Sequence, residues 1–273
     1  MNPDLQTLLP KIIEIAKKAA AIIDPFYRSI DLAISKKIDD TYLTPADTAA
    51  HECIVKELMQ ISDYPILSEE GPEISWAKRQ TWSRYWLVDP LDGTRGFIKK
   101  SPEYTVNIAL IDEHDPILGV VYAPEKNILY YAAKNHLAYR QVGQENPTLM
   151  TTRHLNDTVQ VVVGRHYNSR RMNLFVEQFP HVEITRVNSS LKFGLIAEGL
   201  CDFYPRFGPI CEWDTAAGHC VLQEAGGVVV DFDGRPLQYN VRESLNCPAF
   251  MALGDRSAAP KLLEIYDKIR SQL

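Results

Sequence analysis

The chain has 273 residues, 45% of them hydrophobic and 23% charged, fractions ordinary for a globular protein of one large domain or two tightly packed subdomains. Its formal net charge of -6 argues against a polymeric nucleic-acid partner, but leaves room for a small anionic substrate wherever a bound cation reverses the local sign. Apolar runs such as 19–23 and 161–163 fall far short of the ~20 residues that cross a bilayer, and Pro3-Asp4 opens the chain without a basic leader, so the cytoplasm is the expected compartment.

Leu5, Leu8, Leu9, Ile12, Ile13, Ala16, Ala19, Ala20 and Ile23 recur with a helical period, which predicts a first helix that Pro10 either opens or bends. A second helix is predicted from Thr44, with Pro45 in its first turn and Asp47 three residues after the cap, running to about Gln60. Strand-length apolar stretches follow at 65–68, 85–88, 105–111, 117–122, 128–133 and 136–142, spaced as an antiparallel meander. Beyond residue 150 the pattern changes: strands at 159–163 and 182–187 alternate with helices at 170–179, 190–198 and 215–225, and a last strand at 250–253 precedes a C-terminal helix. The coarse expectation is an α+β half, residues 1–150, followed by an α/β half, residues 151–273. Cys53, Cys201, Cys211, Cys220 and Cys247 never approach C-x-x-C spacing and read as free, buried thiols.

The chemistry concentrates in Trp86-Leu87-Val88-Asp89-Pro90-Leu91-Asp92-Gly93-Thr94. An apolar strand delivers Asp89 to its end, and Pro90 is expected to stop the strand there. Asp92 is brought back near Asp89, with Gly93 supplying freedom for a tight bend. Two carboxylates on one turn, with carbonyls such as that of Leu91, make an oxygen-rich site suited to a hard cation, and no His or Cys is at hand for zinc. Asp-Pro and Asp-Gly are also common turn dipeptides; Glu69-Glu70 would equally suit a solvated loop, and Asp214 an N-cap. Their joint appearance, each beside an apolar run, favours the metal site. His51, His166 and His219 stand isolated and read as structural.

With these motifs the chain resembles the inositol monophosphatase superfamily, recognised by Trp-x-x-Asp-Pro-x-Asp-Gly-Thr (here 86–94), by Trp-Asp-x-Ala-Ala-Gly (here 213–218) and by a Glu-Glu pair after a strand (here Glu69-Glu70). The resemblance covers nearly the whole chain. It implies a layered αβαβα sandwich and a lithium-sensitive phosphatase using two or three magnesium ions. Their ligands would be Glu69, Asp89, Asp92, Asp214 and the carbonyl of Leu91, with Asp89 bridging two ions. Asp47 and Thr94, together with Glu69, would position or deprotonate the attacking water, and Gly93 and Thr94 would help to seat the phosphate.

Within the superfamily, residues 104–111, 116–124, 189–193, 204–209 and 213–219 are similar to the 3'(2'),5'-bisphosphate nucleotidase branch. That similarity implies adenosine 3',5'-bisphosphate as substrate, cleaved to AMP and phosphate, with 3'-phosphoadenylyl sulfate also accepted and a link to sulfur metabolism. Ser189, Ser190, Lys192 and Arg206 are the expected contacts to the nucleotide or its second phosphate. Two positions depart from the branch pattern: Gly96 stands where an acid is usual, and Asn188 where a glycine is usual. An inositol monophosphatase is the alternative, as is a non-catalytic adenosine-bisphosphate sensor, although no metal carboxylate is missing. A nucleotide kinase is disfavoured by the lack of a G-x-x-x-x-G-K-[ST] loop. The resemblance also allows peripheral association with the inner membrane, for which no amphipathic anchor is readable.

Overall fold

The structure is a computed structural model and describes residues 4–30, 32–37, 42–166 and 168–270. The first half contains α1 (Leu5–Arg28), β1 (Ser35–Lys36), β2 (Tyr42–Leu43), α2 (Pro45–Ile61), β3 (Ile66–Ser68), α3 (Trp76–Arg79), β4 (Arg84–Asp92), α4 (Thr94–Ile98), β5 (Thr105–Asp112), β6 (Asp115–Ala123), β7 (Ile128–Ala133), β8 (Ala138–Val142) and β9 (Thr148–Leu149). The second contains β10 (Thr158–Val163), α5 (Arg170–Val176), β11 (His181–Arg186), α6 (Leu191–Ala197), β12 (Phe203–Arg206), α7 (Ala216–Glu224), β13 (Val228–Asp231), β14 (Phe250–Leu253) and α8 (Ala259–Arg270).

Two large sheets are stacked between helices. One has seven strands in the order β3-β4-β5-β6-β7-β8-β9, and the other has five in the order β11-β10-β12-β14-β13. Leu8, Ile12, Ala16, Ala19 and Ile23 of α1, with Ala50 and Ile54 of α2, cover one face of the larger sheet, packing on Trp86, Val88, Ile108 and Val120. The opposite face, through Tyr85, Leu87 and Val121, packs on Leu191 and Phe193 of α6 and Ala217 and Val221 of α7. Those helices in turn meet Tyr204, Val229 and Phe250 of the smaller sheet. Phe203 and Met251 on its far side pack on Phe175 of α5 and Leu262 of α8. The layers therefore run α, β, α, β, α, as expected.

Several local expectations are corrected. Of the two roles expected of Pro10, opening the helix is excluded, because α1 starts ahead of it and runs on past it and Pro25. The meander is not wholly antiparallel, because β3 lies parallel to β4. Pro90 does not end its strand: β4 reaches Asp92, and the pairing register with β5 shifts between Asp89↔Asn107 and Asp92↔Thr105. A bulge absorbs the missing donor, which is how an interior strand tolerates proline. The strand expected at 136 begins at Ala138, since Asn135 and Leu137 adopt positive φ. Strands β12 and β13 escaped the reading of periodicity. The first carries Pro205, accommodated because β12 pairs with β10 only at Val161↔Phe203, and the second follows Gly226-Gly227.

Among the described residues no helix is long and apolar enough to cross a membrane. All five cysteines are free thiols; Cys201, Cys220 and Cys247 are buried, while Cys53 and Cys211 are half-buried.

The middle layer depends on close approach. A Cβ built on Gly119 of β6 would lie 2.3 Å from the Ala217 carbonyl oxygen of α7, a backbone atom that cannot rotate away. Gly119→Ala is therefore expected to destabilise the protein by about 3 kcal/mol or more, at the upper end of overpacking costs. Urea melts read the effect, and a loss below about 1 kcal/mol would show that α7 can recede from the sheet.

Candidate active site

The bulge in β4 shapes the first wall of the site. Asp89 is 1% exposed, and its Oδ1 accepts a hydrogen bond from Leu91 N–H at 3.0 Å. Gly93 follows with φ of 95°, a left-handed conformation that L side chains rarely adopt, and turns the chain into the short α4. Thr94 opens that helix, and its hydroxyl lies 3.3 Å from Asp47 Oδ1 and 3.3 Å from the Leu91 carbonyl. The other oxygen of Asp47 accepts Thr44 N–H at 2.8 Å and the Thr44 hydroxyl at 2.6 Å. Asp47 thus caps α2 and faces Thr94 with its remaining oxygen. Burial raises its pKa, against the two bonds from Thr44.

Parallel pairing carries Glu69 and Glu70 from the end of β3 alongside the bulge. The loop before α7 supplies Asp214, whose Oδ2 accepts Cys211 N–H at 3.2 Å. Glu69, Asp89 and Asp214 each bring a carboxylate oxygen within 4.8 Å of the others, the one such group found among the described residues. Burial first, then mutual repulsion within this set and with Asp92, pushes Asp89 and Asp214 well above the usual carboxylate range. The Oδ2 atom of Asp89 is buried and accepts no hydrogen bond. An all-oxygen donor set with an orphaned carboxylate oxygen at its centre fits a hard divalent cation.

Asp92 lies on the same wall but is committed differently. The Ser190 hydroxyl sits 3.0 Å from Asp92 Oδ2 and 2.8 Å from the Asp214 carbonyl, and accepts Asn107 Nδ2–H at 2.8 Å. Ser190 and Asn107 therefore tie Asp92 to the Asp214 loop. Neither Asn107 nor Lys37, whose ammonium bonds Glu69 at 2.8 Å and Glu70 at 2.6 Å, stood out in the sequence. Asn107 sits in an apolar strand, and Lys37 lies in a short polar segment without a motif.

A cleft of about 360 Å³ is lined by Tyr42, Glu69, Asp89, Leu91, Asp92, Gly93, Thr94, Arg95, Arg206 and Asp214. Of the expected substrate contacts, Arg206 lines it, held by the Gly208 and Pro209 carbonyls. Lys192 does not reach it. That side chain is buried behind Asp92, its ammonium donates to the Ser189 carbonyl and lies 5.4 Å from the Tyr204 ring centroid. Burial, reinforced by Arg206 and opposed by Asp92, lowers its pKa to about 8. Ser189 has a positive φ of 55°, and its hydroxyl donates to the Asn188 carbonyl at 2.7 Å. A second cavity, about 460 Å³, opens on the other side of Glu69 between Trp76 and Trp213. The two departures from the branch pattern are spatial neighbours: a Cβ on Gly96 would sit 3.4 Å from Asn188 Nδ2.

The inositol monophosphatase family pattern matches residues 4–270, and the chain belongs to that family, whose enzymes are metal-dependent. It is 43% identical over 245 residues to the 3'(2'),5'-bisphosphate nucleotidase CysQ of Escherichia coli, covering 89% of this chain and 98% of that protein. It is 34% identical over 253 residues to the protein of the same name from Haemophilus influenzae, covering 92% and 94%. Among solved structures, CysQ from Bacteroides thetaiotaomicron superposes with a TM-score of 0.80 at 36% identity, covering 91% of this chain and 97% of that one. An inositol monophosphatase of Thermotoga maritima shares the fold, with a TM-score of 0.79 at 22% identity over 97% of this chain and 99% of that one.

The isolated histidines stay outside the acid cluster. His219 is buried in α7 with Nδ1 3.0 Å from the Tyr239 hydroxyl, and burial holds its pKa at about 3, far below the ordinary 6.5. The fold thus favours neutral imidazole. Its contribution to stability is complete above pH 6.5 and is lost progressively as the pH falls toward 3. Comparing unfolding free energies of the wild type and His219→Gln isolates this group. Between pH 7.5 and pH 4.5 the gap should move in favour of the variant by about 3 kcal/mol. A gap that does not change with pH would show that the imidazole is not held neutral.

Proposed function

We propose that the protein is a magnesium-dependent 3'(2'),5'-bisphosphate nucleotidase that releases the 3'-phosphate of adenosine 3',5'-bisphosphate to give AMP, with 3'-phosphoadenylyl sulfate as a further substrate. The observation that carries the chemistry is the Glu69–Asp89–Asp214 oxygen cluster beside the Gly93-Thr94 turn. The branch is supported by the CysQ relatives, matched over most of their length.

Glu69, Asp89, Asp92, Asp214 and the Leu91 carbonyl would hold the metal, two or three ions in all, and lithium would inhibit by entering the same oxygen set. Bound magnesium supplies positive charge that acidifies a water and offsets the charge developing on the leaving oxygen. The protein contributes placement and a base. Thr94 can donate its proton to Asp47 and turn its lone pairs toward a water in the cleft. Asp47, made more basic by burial, is suited to receive the proton that the water gives up. The Gly93-Thr94 backbone seats the phosphate. Arg206, in the cleft wall, meets the remote phosphate of the nucleotide, so that binding energy away from the reacting centre orients the 3'-phosphate. Lys192 acts from behind, as a buried positive charge beside Asp92.

Asp89→Asn tests the metal reading. The amide removes charge at the centre of the cluster, and turnover should fall on the order of a thousandfold or more. The fold should persist by circular dichroism, because a buried, repelled carboxylate is being neutralised. Near-normal activity would remove Asp89 from the mechanism.

The substrate is tested by kcat/KM for adenosine 3',5'-bisphosphate, inositol 1-phosphate and fructose 1,6-bisphosphate on one preparation, with the bisphosphate nucleotide expected to lead. Arg206→Gln should raise KM for the nucleotide by about tenfold, the cost of a charged hydrogen bond, and leave a small phosphate monoester nearly unaffected. A lead for inositol 1-phosphate would move the protein to another branch while leaving the metal site intact.

A further inference from the structure

We propose that Lys37 is a tethered counter-cation that competes with metal for Glu69 and is handed to Glu70 when metal enters; this rests on the metal reading above. Lys37 Nζ lies 2.8 Å from Glu69 Oε1 and 2.6 Å from Glu70 Oε1, so one ammonium bridges two adjacent carboxylates. Glu69 is claimed from both sides. It supplies an oxygen to the cluster with Asp89 and Asp214, and it holds Lys37. A divalent ion and an ammonium on one carboxylate repel each other, and water screens that repulsion poorly here because the side chains of Lys37, Glu69 and Glu70 are only 21%, 25% and 8% exposed.

Glu70 resolves the conflict. It belongs neither to the three-oxygen group nor to the cleft lining, yet it is the nearer of the two carboxylates to the ammonium. Lys37 can therefore give up Glu69 without entering water alone. The motion required is small: Lys37 directly follows β1, a two-residue strand paired only with β2, and a change of side-chain rotamer suffices to leave Glu69.

The test measures metal binding, with no substrate present. Metal-stripped wild type, Lys37→Met, Lys37→Arg, Glu70→Gln and the double variant are titrated calorimetrically with Mn2+, after circular dichroism has established folding. Lys37→Met keeps the aliphatic stem and loses the charge, and should bind Mn2+ about tenfold more tightly, whereas Lys37→Arg should match the wild type. Glu70→Gln alone should weaken binding, because Lys37 then has only Glu69. In the Lys37→Met background the same Glu70→Gln change should weaken binding clearly less, leaving only the direct loss of a nearby negative charge, since the rest of its action runs through the lysine. Equal or weaker metal binding by Lys37→Met overturns the competition, and a Glu70→Gln effect that is undiminished without Lys37 overturns the handover. A wild type that binds no Mn2+ or Mg2+ sinks the metal reading itself, an outcome distinct from either.

Discussion

Glu69, Asp89, Asp92 and Asp214 are gathered where two layers of the sandwich meet, and their mutual repulsion in a low-dielectric setting is the constraint that organises their surroundings. Several neighbouring polar groups offset it. Leu91 N–H bonds Asp89, Ser190 and Asn107 hold Asp92, Cys211 N–H bonds Asp214, and Lys37 bridges Glu69 and Glu70. Lys192 is buried behind Asp92 and lowered in pKa, a costly position for an ammonium that is intelligible only beside carboxylates. The orphaned Asp89 oxygen remains, and an isolated buried acceptor costs stability unless a proton or a cation completes it. Such a site trades stability for cation affinity.

The order of the main helices and strands, and the nearness of Asp89 to Asp92, were legible because they rest on short-range rules, whereas the layered sandwich was implied by the family resemblance. Thr44-Pro45-Ala46-Asp47 reads as a helix start from local chemistry, and the α2 helix does start at Pro45. Asp89 and Asp92 lie three positions apart, so a turn alone accounts for their proximity. Glu69 and Asp214 join them through sheet pairing and helix packing, which no local pattern encodes; the motif resemblance supplied that association. The reading of Pro90 as a stop failed because strand propensity ignores the bulge, a tertiary compromise between a missing donor and two flanking β pairs.

Side-chain direction was the least legible quantity. Lys192 and Arg206 both looked like surface cations suited to phosphate, and burial separates them: one supports Asp92 from the core side, the other faces the cleft. Gly96 and Asn188 looked like two unrelated departures. In the fold they are neighbours: a Cβ at position 96 would touch the Asn188 amide and Ser101 at 3.4 Å.

What keeps the two halves of the site in register is the rigid middle layer. Asp89 belongs to the larger sheet, whereas Asp214 belongs to the loop that leads into α7. Their separation is therefore set by how α7 seats on that sheet, and Gly119 of β6 meets the backbone of Ala217 with no room for a methyl group. Close-packed interiors transmit displacement instead of absorbing it. A shift of α7 away from β6 would carry Asp214 outward and open the three-oxygen group, whose atoms lie within 4.8 Å of one another. Packing remote from the cluster thus sets the spacing of its oxygens. For the same reason the Ser190 hydroxyl, placed between the Asp92 carboxylate and the Asp214 carbonyl, bonds groups contributed by both halves of the chain and holds them at one distance.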